Sequence, residues 1–298
     1  MLGLNFNTGA NAAPQIENKI LPAVLGVAAN STAYLQLPIG YRYHFLHLLY
    51  GGTTFDNTYM SAIRLYANQT LFQNFTGTQR DVWNQFDGLS ATSTYKDLVI
   101  PFERIGMAED KARYITAINT GSNSKGTQCP VPITDFRIEI DIAGATAPTL
   151  AMYADVSDVN TEQSVMLPRI DRWTENVAAT GEFLHLNSAR FIKDKLRPYT
   201  HRIWLGDTDT NITNFRLLRD LNQEFKNRTT KENENAQTSI KVRTPQAGWV
   251  AIDWGERGEF ANLFDGINCA NLELRSTHAA TNAALPVIQE SMGPLMAS

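Results

Sequence analysis

The first candidates for chemistry are the histidines, since an imidazole can bind a metal ion or transfer a proton. The chain has five of them. His44 and His47 are three positions apart, so on a β-strand their side chains point to opposite faces of the sheet. A metal site of the cupin type needs a His-x-His pair with further ligands, and the sequence contains no such pair. We therefore expect these histidines to pack in the core or at an interface.

A second candidate is a calcium site in the segment 207–211. Its acidic and amide side chains follow the spacing at the start of an EF-hand loop, which would make Asp207, Asp209 and Asn211 calcium ligands. The sixth position is Ile212 where an EF-hand needs Gly, and the twelfth position lacks the required Glu. A hairpin turn held by Asx hydrogen bonds explains the pattern better. We expect no other metal ion and no cofactor.

The sequence gives no catalytic motif. Hydrolytic chemistry needs carboxylates gathered in a cleft, or a nucleophile beside a base, and the sequence offers scattered carboxylates such as Asp253, Glu256 and Glu259. The glycines around Lys125 lack the spacing of a phosphate-binding loop. The segment 88–90 lacks the second glycine of a nucleophile elbow. We therefore expect no catalytic residues and no enzyme.

The basic side chains gather at one place in the second half of the chain. The cluster consists of Arg190, Lys193, Lys195, Arg197 and Arg202. Asp194 interrupts it, and the whole chain is acidic, with a net charge of −4 and a pI near 5.8. Such a balance gives no general attraction to nucleic acid. We interpret the cluster as a solvated strand face or as one side of salt bridges between subunits.

Three tryptophans leave an alternative open, in which the chain is a jelly-roll module that binds carbohydrate. Sugar rings would stack on Trp204, Trp249 or Trp254. Trp254 alternates with Val250 and Ile252, so we expect it in the core, and Trp249 is the better candidate for exposure. Binding on a glycan array would favour this alternative over a purely structural protein.

Strands must position these residues, because short β-type runs separated by Gly, Pro and Asn clusters dominate the 298-residue chain. Apolar and charged residues alternate in 136–142, which predicts a strand with one buried and one wet face. The denser apolar run 41–50 predicts a strand buried on both faces. The long connection 102–131 contains one predicted strand, at 114–118.

One stretch of the chain occurs twice. Residues 63–86 and 215–238 each contain two short strands joined by a polar pivot, followed by a polar run that begins at Thr76 or Thr229. Each threonine is a suitable N-cap, since its hydroxyl can accept a hydrogen bond from the first turn of a helix. The repeat therefore predicts a strand, turn, strand and short helix in each half of the chain.

The two predicted helices differ in character. The first carries Val82, Trp83 and Phe86 on one face and should pack against a core. The second, at 231–235, is nearly all polar, so we expect it to face solvent or to be frayed.

These signals together predict an all-β fold of two tandem eight-stranded jelly-roll β-sandwiches, each with a short helix insertion. We divide the chain into an N-terminal arm at 1–18, a first jelly roll at 19–157, a linker at 158–164 and a second jelly roll at 165–298. A repeat of half the chain length is typical of domain duplication, whereas solenoid repeats recur about every 20 to 50 residues.

Cysteine content and apolar runs bear on the cellular compartment. Cys129 and Cys269 are too few for a disulfide framework, and we expect free thiols in a reducing compartment. No apolar run approaches the roughly 20 residues that span a bilayer. Residues 1–15 lack the basic start and apolar core of a signal peptide, so we expect synthesis in the cytoplasm.

Four segments carry a family resemblance: Tyr43 to Leu48, Trp83 to Gly88, Leu98 to Glu103 and Ala147 to Leu150. Their combination and order resemble the major coat proteins of tailless icosahedral bacteriophages that enclose a membrane, the corticovirus-like branch of the double jelly-roll lineage. The resemblance covers residues 20–156, and the second half joins it through the internal repeat.

The resemblance implies a structural protein of the virion, made in the host cytoplasm. Three chains would form a homotrimer, a pseudo-hexagonal capsomer that tiles an icosahedral shell. Its partners would be other capsomers, penton and minor capsid proteins, and the internal lipid membrane near the arm at 1–18. No specific nucleic-acid binding is expected. We expect contacts between subunits from Phe102 to Val131 and from Arg190 to Arg202.

Overall fold

The computed structural model describes ten stretches of the chain, which are 15–108, 113–121, 131–159, 166–185, 199–207, 211–220, 223–239, 243–256, 263–265 and 269–294. The strands of the first half are β1 Glu17–Ile20, β2 Ser31–Gln36, β3 Arg42–Gly51, β4 Met60–Ala67, β5 Thr70–Phe75, β6 Asp97–Pro101, β7 Ile118–Asn119, β8 Phe136–Ile142 and β9 Thr149–Ser157. The strands of the second half are β10 Leu167–Val177, β11 Gly181–His185, β12 Tyr199–Gly206, β13 Ile212–Arg219, β14 Gln223–Thr229, β15 Trp249–Asp253, β16 Phe264–Asp265, β17 Leu272–His278 and β18 Asn282–Gly293. The helices are α1 Gly77–Phe86, α2 Thr92–Tyr95 and α3 Thr230–Ser239.

The first half folds into a sandwich of two antiparallel sheets. One sheet has the order β1-β9-β3-β6, with the short β7 also paired to β3, and the other has the order β2-β8-β4-β5. The alternation predicted for 136–142 is confirmed, because Ile138 and Ile140 are buried in the core while Arg137 and Glu139 are partly exposed. The core between the sheets also contains Leu46 and Leu48 of β3.

The second half repeats this strand order. The sheet β10-β18-β12-β15 corresponds to β1-β9-β3-β6, and the sheet β11-β17-β13-β14 corresponds to β2-β8-β4-β5. A second core cluster, with Phe215, Leu217, Val250 and Leu274, lies within this half. The predicted fold of two tandem eight-stranded jelly rolls is confirmed, with β7 and β16 as short additions.

The two sandwiches share one sheet, which the sequence did not indicate. Strands β5 and β10 run parallel, with Gln73 beside Ile170, and their pairing joins four strands of each half into a single sheet. The side-chain amide of Gln73 donates a hydrogen bond to the carbonyl of Pro168, with 2.8 Å between the atoms. The relative position of the jelly rolls is therefore fixed by backbone pairing as well as by side chains.

Helix α1 connects the two halves and confirms the first predicted cap. The Thr76 hydroxyl accepts a hydrogen bond from the Gln79 amide, and the Gln79 side chain accepts one from the Thr76 amide, which is a capping box. Trp83 and Phe86 are fully buried. Their rings lie 6.1 Å and 4.9 Å from the ring of Trp204 in β12, so the helix packs against the second jelly roll.

Helix α3 has the second predicted cap, and its solvent-facing character is confirmed for most of its side chains, with Asn233 and Gln237 as exceptions. Thr229 and Glu232 form the reciprocal hydrogen bonds of a capping box. Asn233 and Gln237 are buried, and both side-chain amides donate to the carbonyl of Ala251 in β15. A polar helix face can therefore be buried here because it satisfies a backbone acceptor of the neighbouring strand.

Two strand predictions also need correction. The run 41–50 is buried on both faces at its beginning only, and further along Leu48 is buried whereas Leu49 is 41% exposed. The strand predicted at 114–118 is wrong, because the amide of Ala117 bonds back to the carbonyl of Tyr114 in a turn and β7 begins at Ile118.

The expected N-terminal arm overlaps the first strand of the fold. The end of the expected arm at 1–18 belongs to β1, where Glu17 pairs with Val156, while residues 1–14 lie outside the described part. None of the described helices is long and apolar enough to cross a membrane.

The capping box gives a prediction for stability. Replacing Thr76 with Ala removes the acceptor for the Gln79 amide and should lower the free energy of unfolding by about 1 kcal/mol. Thr76→Ser keeps a hydroxyl and should lose less than half as much. Urea unfolding measures both variants, and equal losses would contradict a role for the hydroxyl.

Candidate functional site

The histidines of β3 take part in hydrogen-bond networks. The imidazole of His47 is partly exposed, lies 2.9 Å from the Asp97 carboxylate and stacks on Tyr153 with 4.2 Å between ring centroids. His44 is fully buried. The two side chains lie in different environments, but no group of three His, Cys, Asp or Glu residues that could hold a metal ion occurs in the described part of the chain.

His44 belongs to a Ser-His-Glu arrangement that the sequence did not reveal. Its Nδ1 lies 2.6 Å from Glu103 Oε1, and its Nε2 lies 2.8 Å from Ser157 Oγ. Hydrolases use such a chain of contacts to activate a serine, provided that the serine can reach a substrate. All three side chains are at most 6% exposed, so in this structure the arrangement links β3 to β9 and to the segment after β6.

A second arrangement of the same type lies in the second jelly roll. His185 Nδ1 is 2.5 Å from Glu175 Oε2, and His185 Nε2 is 2.7 Å from Ser276 Oγ. The Ser276 hydroxyl also lies 2.6 Å from His278 Nε2. These groups are buried and connect β10, β11 and β17. We interpret both arrangements as internal cross-links, since buried polar groups need hydrogen-bond partners.

The candidate calcium ligands are only partly described. Asp207 is buried, and its two carboxylate oxygens accept hydrogen bonds from the backbone amides of Asn211 and Ile212, at 2.6 Å and 2.9 Å. This is the bonding of an Asx-type turn. Asp209 lies outside the described residues, so the calcium site stays a prediction.

The candidate stacking platforms are mostly inside the protein. Trp204 and Trp254 are buried, and Trp249 is half-buried with its ring 6.2 Å from that of Trp204. The expectation that Trp254 is a core residue is confirmed. The indole of Trp204 donates to Glu290 at 2.6 Å, so this residue serves the interior.

The scattered carboxylates and cysteines have structural surroundings. Glu256 pairs with Arg228 at 3.0 Å, and Glu259 lies outside the described residues. Cys269 is a free, buried thiol that donates to the carbonyl of Asn271 at 2.9 Å, and Cys129 lies outside the described part.

Arg202 corrects the interpretation of the basic cluster. It is fully buried, so it neither forms a solvated face nor reaches another subunit. Its guanidinium lies within 3.3 Å of three carboxylates, those of Asp87, Asp253 and Glu290. The other members of the cluster, Arg190, Lys193, Lys195 and Arg197, lie outside the described residues.

We call the surroundings of Arg202 the charged junction, because they join the two jelly rolls. The Asp87 carboxylate, just after α1 in the first half, also lies 3.0 Å from Arg243 of the second half. Arg243 in turn pairs with Asp253 at 2.8 Å. The guanidinium of Arg202 lies 4.6 Å from the centre of the Phe86 ring, a cation–π contact at the end of the same helix.

The junction shifts the acid–base behaviour of its members. Burial raises the pKa of Glu290 and Asp253, but the nearby arginines, Arg202 first, outweigh it and hold both pKa values well below the usual range. Desolvation, followed by repulsion from Arg104, lowers the pKa of His201 to about 4. At neutral pH the carboxylates are therefore charged and His201 is neutral.

Sequence comparisons identify the family. The profile of the viral coat protein P2 N-terminal domain matches residues 18–157, and that of the P2 C-terminal domain matches residues 167–295. The chain belongs to the viral coat protein P2 family. The coat-protein family predicted from the sequence resemblance is thus confirmed for both halves of the chain. No curated protein sequence matches it.

Solved structures show where the fold of this P2-family protein recurs. The major capsid protein P2 from bacteriophage PM2 has a TM-score of 0.78 and 17% identity, covering 94% of this chain and 97% of that one. VP54 of PBCV-1 has a TM-score of 0.60 and 9% identity, with 96% of each chain covered. The Faustovirus major capsid protein has a TM-score of 0.61 and 8% identity, covering 97% and 92%. These likenesses agree with the double jelly-roll fold.

The charged junction gives a prediction for mutation. Arg202→Met leaves three carboxylates without their shared cation, one of them fully buried and the other two at most 14% exposed, and the free energy of unfolding should fall by about 3–5 kcal/mol. Arg64→Met is a matched control, because Arg64 pairs with Asp141 on a face where its side chain is 23% exposed. This control should lose about 1 kcal/mol or less. If urea unfolding showed equal losses of stability for the two variants, Arg202 would not be the buried cation that the three carboxylates share.

The lowered pKa of His201 gives a prediction for pH dependence. Between its unfolded pKa near 6.5 and its folded pKa of about 4, the unfolded chain binds a proton that the folded chain excludes. Stability should therefore fall as the pH falls, by about 2 kcal/mol between pH 7 and pH 5. The His201→Gln variant should show a smaller loss in urea unfolding at the two pH values. An unchanged loss in the variant would show that other groups cause it.

Proposed function

We propose that this coat protein is the major capsid protein of an icosahedral virion and that three copies form a pseudo-hexagonal capsomer. The observation that carries the proposal is the identical strand order of the two jelly rolls. Three chains around a threefold axis would present six similar sandwiches. A ring that is nearly sixfold can pack against six neighbours, as a closed shell requires.

The rigid connection between the halves supports this role. The parallel pairing of β5 with β10 and the charged junction hold the sandwiches in one relative position. A pseudo-hexagonal outline needs such a fixed position, because rotation of one sandwich would break the equivalence of the six. The chain is therefore built as a single block rather than as two domains on a flexible tether.

Exposed apolar side chains support lateral association. Among the described residues, the large hydrophobic side chains with the greatest exposure are Ile20 at 85%, Tyr95 at 72% and Leu25 at 64%. All three belong to the first half, and covering such side chains by a neighbouring subunit would remove apolar surface from water. We propose that the first jelly roll supplies much of the contact between subunits.

The segments expected at subunit contacts need revision. Described parts of Phe102 to Val131 pack within their own chain, with Phe102, Glu103 and Arg104 each at most 7% exposed. Contact from this segment would come from exposed side chains such as Arg113, which is 41% exposed, or from 109–112 and 122–130, which lie outside the described residues. Arg202 is internal, so the contact proposed for Arg190 to Arg202 is likewise restricted to the part of that segment before residue 199.

The remaining proposals concern the chain divisions and the partners. We retain the linker at 158–164 and the second jelly roll at 165–298, and we propose that the arm ends before Glu17, since β1 of the first jelly roll begins there. Partners would be other capsomers, penton and minor capsid proteins, and a lipid membrane beneath the shell. Synthesis in the host cytoplasm and location in the virion shell complete the proposal.

The capsomer proposal predicts a mass. The purified, tag-free protein should give a native mass of three times its 33.2 kDa chain mass, and the trimer should persist on dilution. Permanent assemblies bury more than about 2,000 Å², so slow dissociation is expected. Native mass spectrometry makes the measurement. A stable monomer at all concentrations, together with binding on a glycan array, would contradict the proposal and favour a carbohydrate-binding module.

A further inference from the structure

A small cavity of about 40 Å³ lies at the charged junction, between the two jelly rolls. Its lining includes Gln73 and Arg80 from the first half and His201, Glu290 and Ser291 from the second. A water molecule needs roughly 10–15 Å³ of such volume, so the cavity can hold a few waters or one small ion. Polar side chains from both halves surround this space.

Arg104 is the cavity residue with the least compensation. Its side chain is 7% exposed, and its Nε and Nη2 atoms have no hydrogen-bond partner among the described residues. Arg80 donates through Nε to Asn84 at 2.9 Å, and neither arginine forms an ion pair with a described carboxylate. The Ser291 hydroxyl is also buried without a hydrogen-bond partner in the described structure. The two ring nitrogens of His201 are buried as well, and they lie 3.5 Å from Asp253 Oδ1 and 3.6 Å from Glu290 Oε2.

Positive charge exceeds negative charge at the junction. Arg202 and Arg243 pair with the carboxylates of the junction, Arg80 and Arg104 line the cavity, and Arg169, which also lines it, donates to the carbonyl of Pro294 at 3.1 Å. The described carboxylates that face them are Asp87, Asp253 and Glu290. Glu103 also lines the cavity, but its two oxygens contact His44 and Arg113. Apart from Arg169 and Glu103, which have other partners, four cations thus face three anions at the junction.

The pKa values of Arg80 and Arg104 reflect the cost of burying their charge, which is called desolvation. Desolvation lowers the pKa of Arg104 to about 9 and that of Arg80 to about 10, although attraction to Glu290 and Asp87 opposes it, and repulsion from Arg202 acts in the same direction as desolvation. A buried, uncompensated ion costs several kcal/mol, and proteins normally pair it. An anion beside the unpartnered nitrogens of Arg104 would remove the excess.

We propose that the junction cavity binds a small inorganic anion of the size of chloride through the guanidinium of Arg104. The hydroxyl of Ser291, which also lines the cavity, supplies a second donor. The bound anion neutralises the junction and stabilises the contact between the two jelly rolls. The volume of the cavity excludes a large organic anion.

The test exchanges chloride for gluconate at constant ionic strength and follows thermal unfolding. Gluconate is too large for the cavity, so the unfolding midpoint should rise with chloride, by about 2 to 4 °C for each tenfold increase once chloride exceeds its dissociation constant. Arg104→Met should abolish this rise and should be more stable than the wild type in gluconate. Arg64→Met is the control and should keep the wild-type dependence on chloride.

A crystal structure in bromide locates the ion. The expected result is an anomalous peak in the cavity within hydrogen-bonding distance of Arg104. Three results would overturn the proposal: the same wild-type midpoint in both salts, an undiminished chloride effect in Arg104→Met, or no bromide in the cavity. A peak without chloride dependence in solution would mean an adventitious ion only. Since the chloride titration and the bromide crystal use the wild type, a variant that fails to fold leaves the test intact.

Discussion

The burial of Arg202 among three carboxylates is the interaction on which the two-domain arrangement depends. Removing an ion from water costs several kcal/mol, so a fully buried guanidinium is stable only where its partners are held in place. Those partners come from the end of α1, from β15 and from β18, which brings both halves of the chain to one point. The jelly rolls cannot separate or rotate there without exposing charges or leaving them unpaired.

The aromatic side chains and the shared sheet surround this point and exclude water from it. Trp83 and Phe86 of α1 cover Trp204, whose indole donates to the same Glu290 that accepts from Arg202. The parallel pairing of β5 and β10 continues the sheet from one sandwich into the next. A coat protein that must present six similar sandwiches per capsomer needs this rigidity. The internal repeat then supplies the similarity and the junction supplies the fixed geometry.

Local features of the fold could be predicted from the sequence, and long-range ones could not. Alternation in 136–142 and the threonine caps at Thr76 and Thr229 are local signals, and the structure confirms each. No local pattern in the sequence predicts the burial of Arg202, because an arginine in a basic cluster is usually a surface residue. The Ser-His-Glu cross-links join residues that are distant in sequence, so no local pattern indicates them. The buried amides of α3 depend on an acceptor in the neighbouring strand β15.

Hydrogen exchange during urea unfolding tests the central claim, that the junction makes the two jelly rolls one cooperative unit. Strand β8 reports on the first core and β17 on the second, and mass spectrometry follows their peptides separately. The account predicts that both lose protection at the same urea concentration. If β17 lost protection at a clearly lower concentration while β8 stayed protected, the two halves would unfold independently, and the junction would not have the role assigned to it.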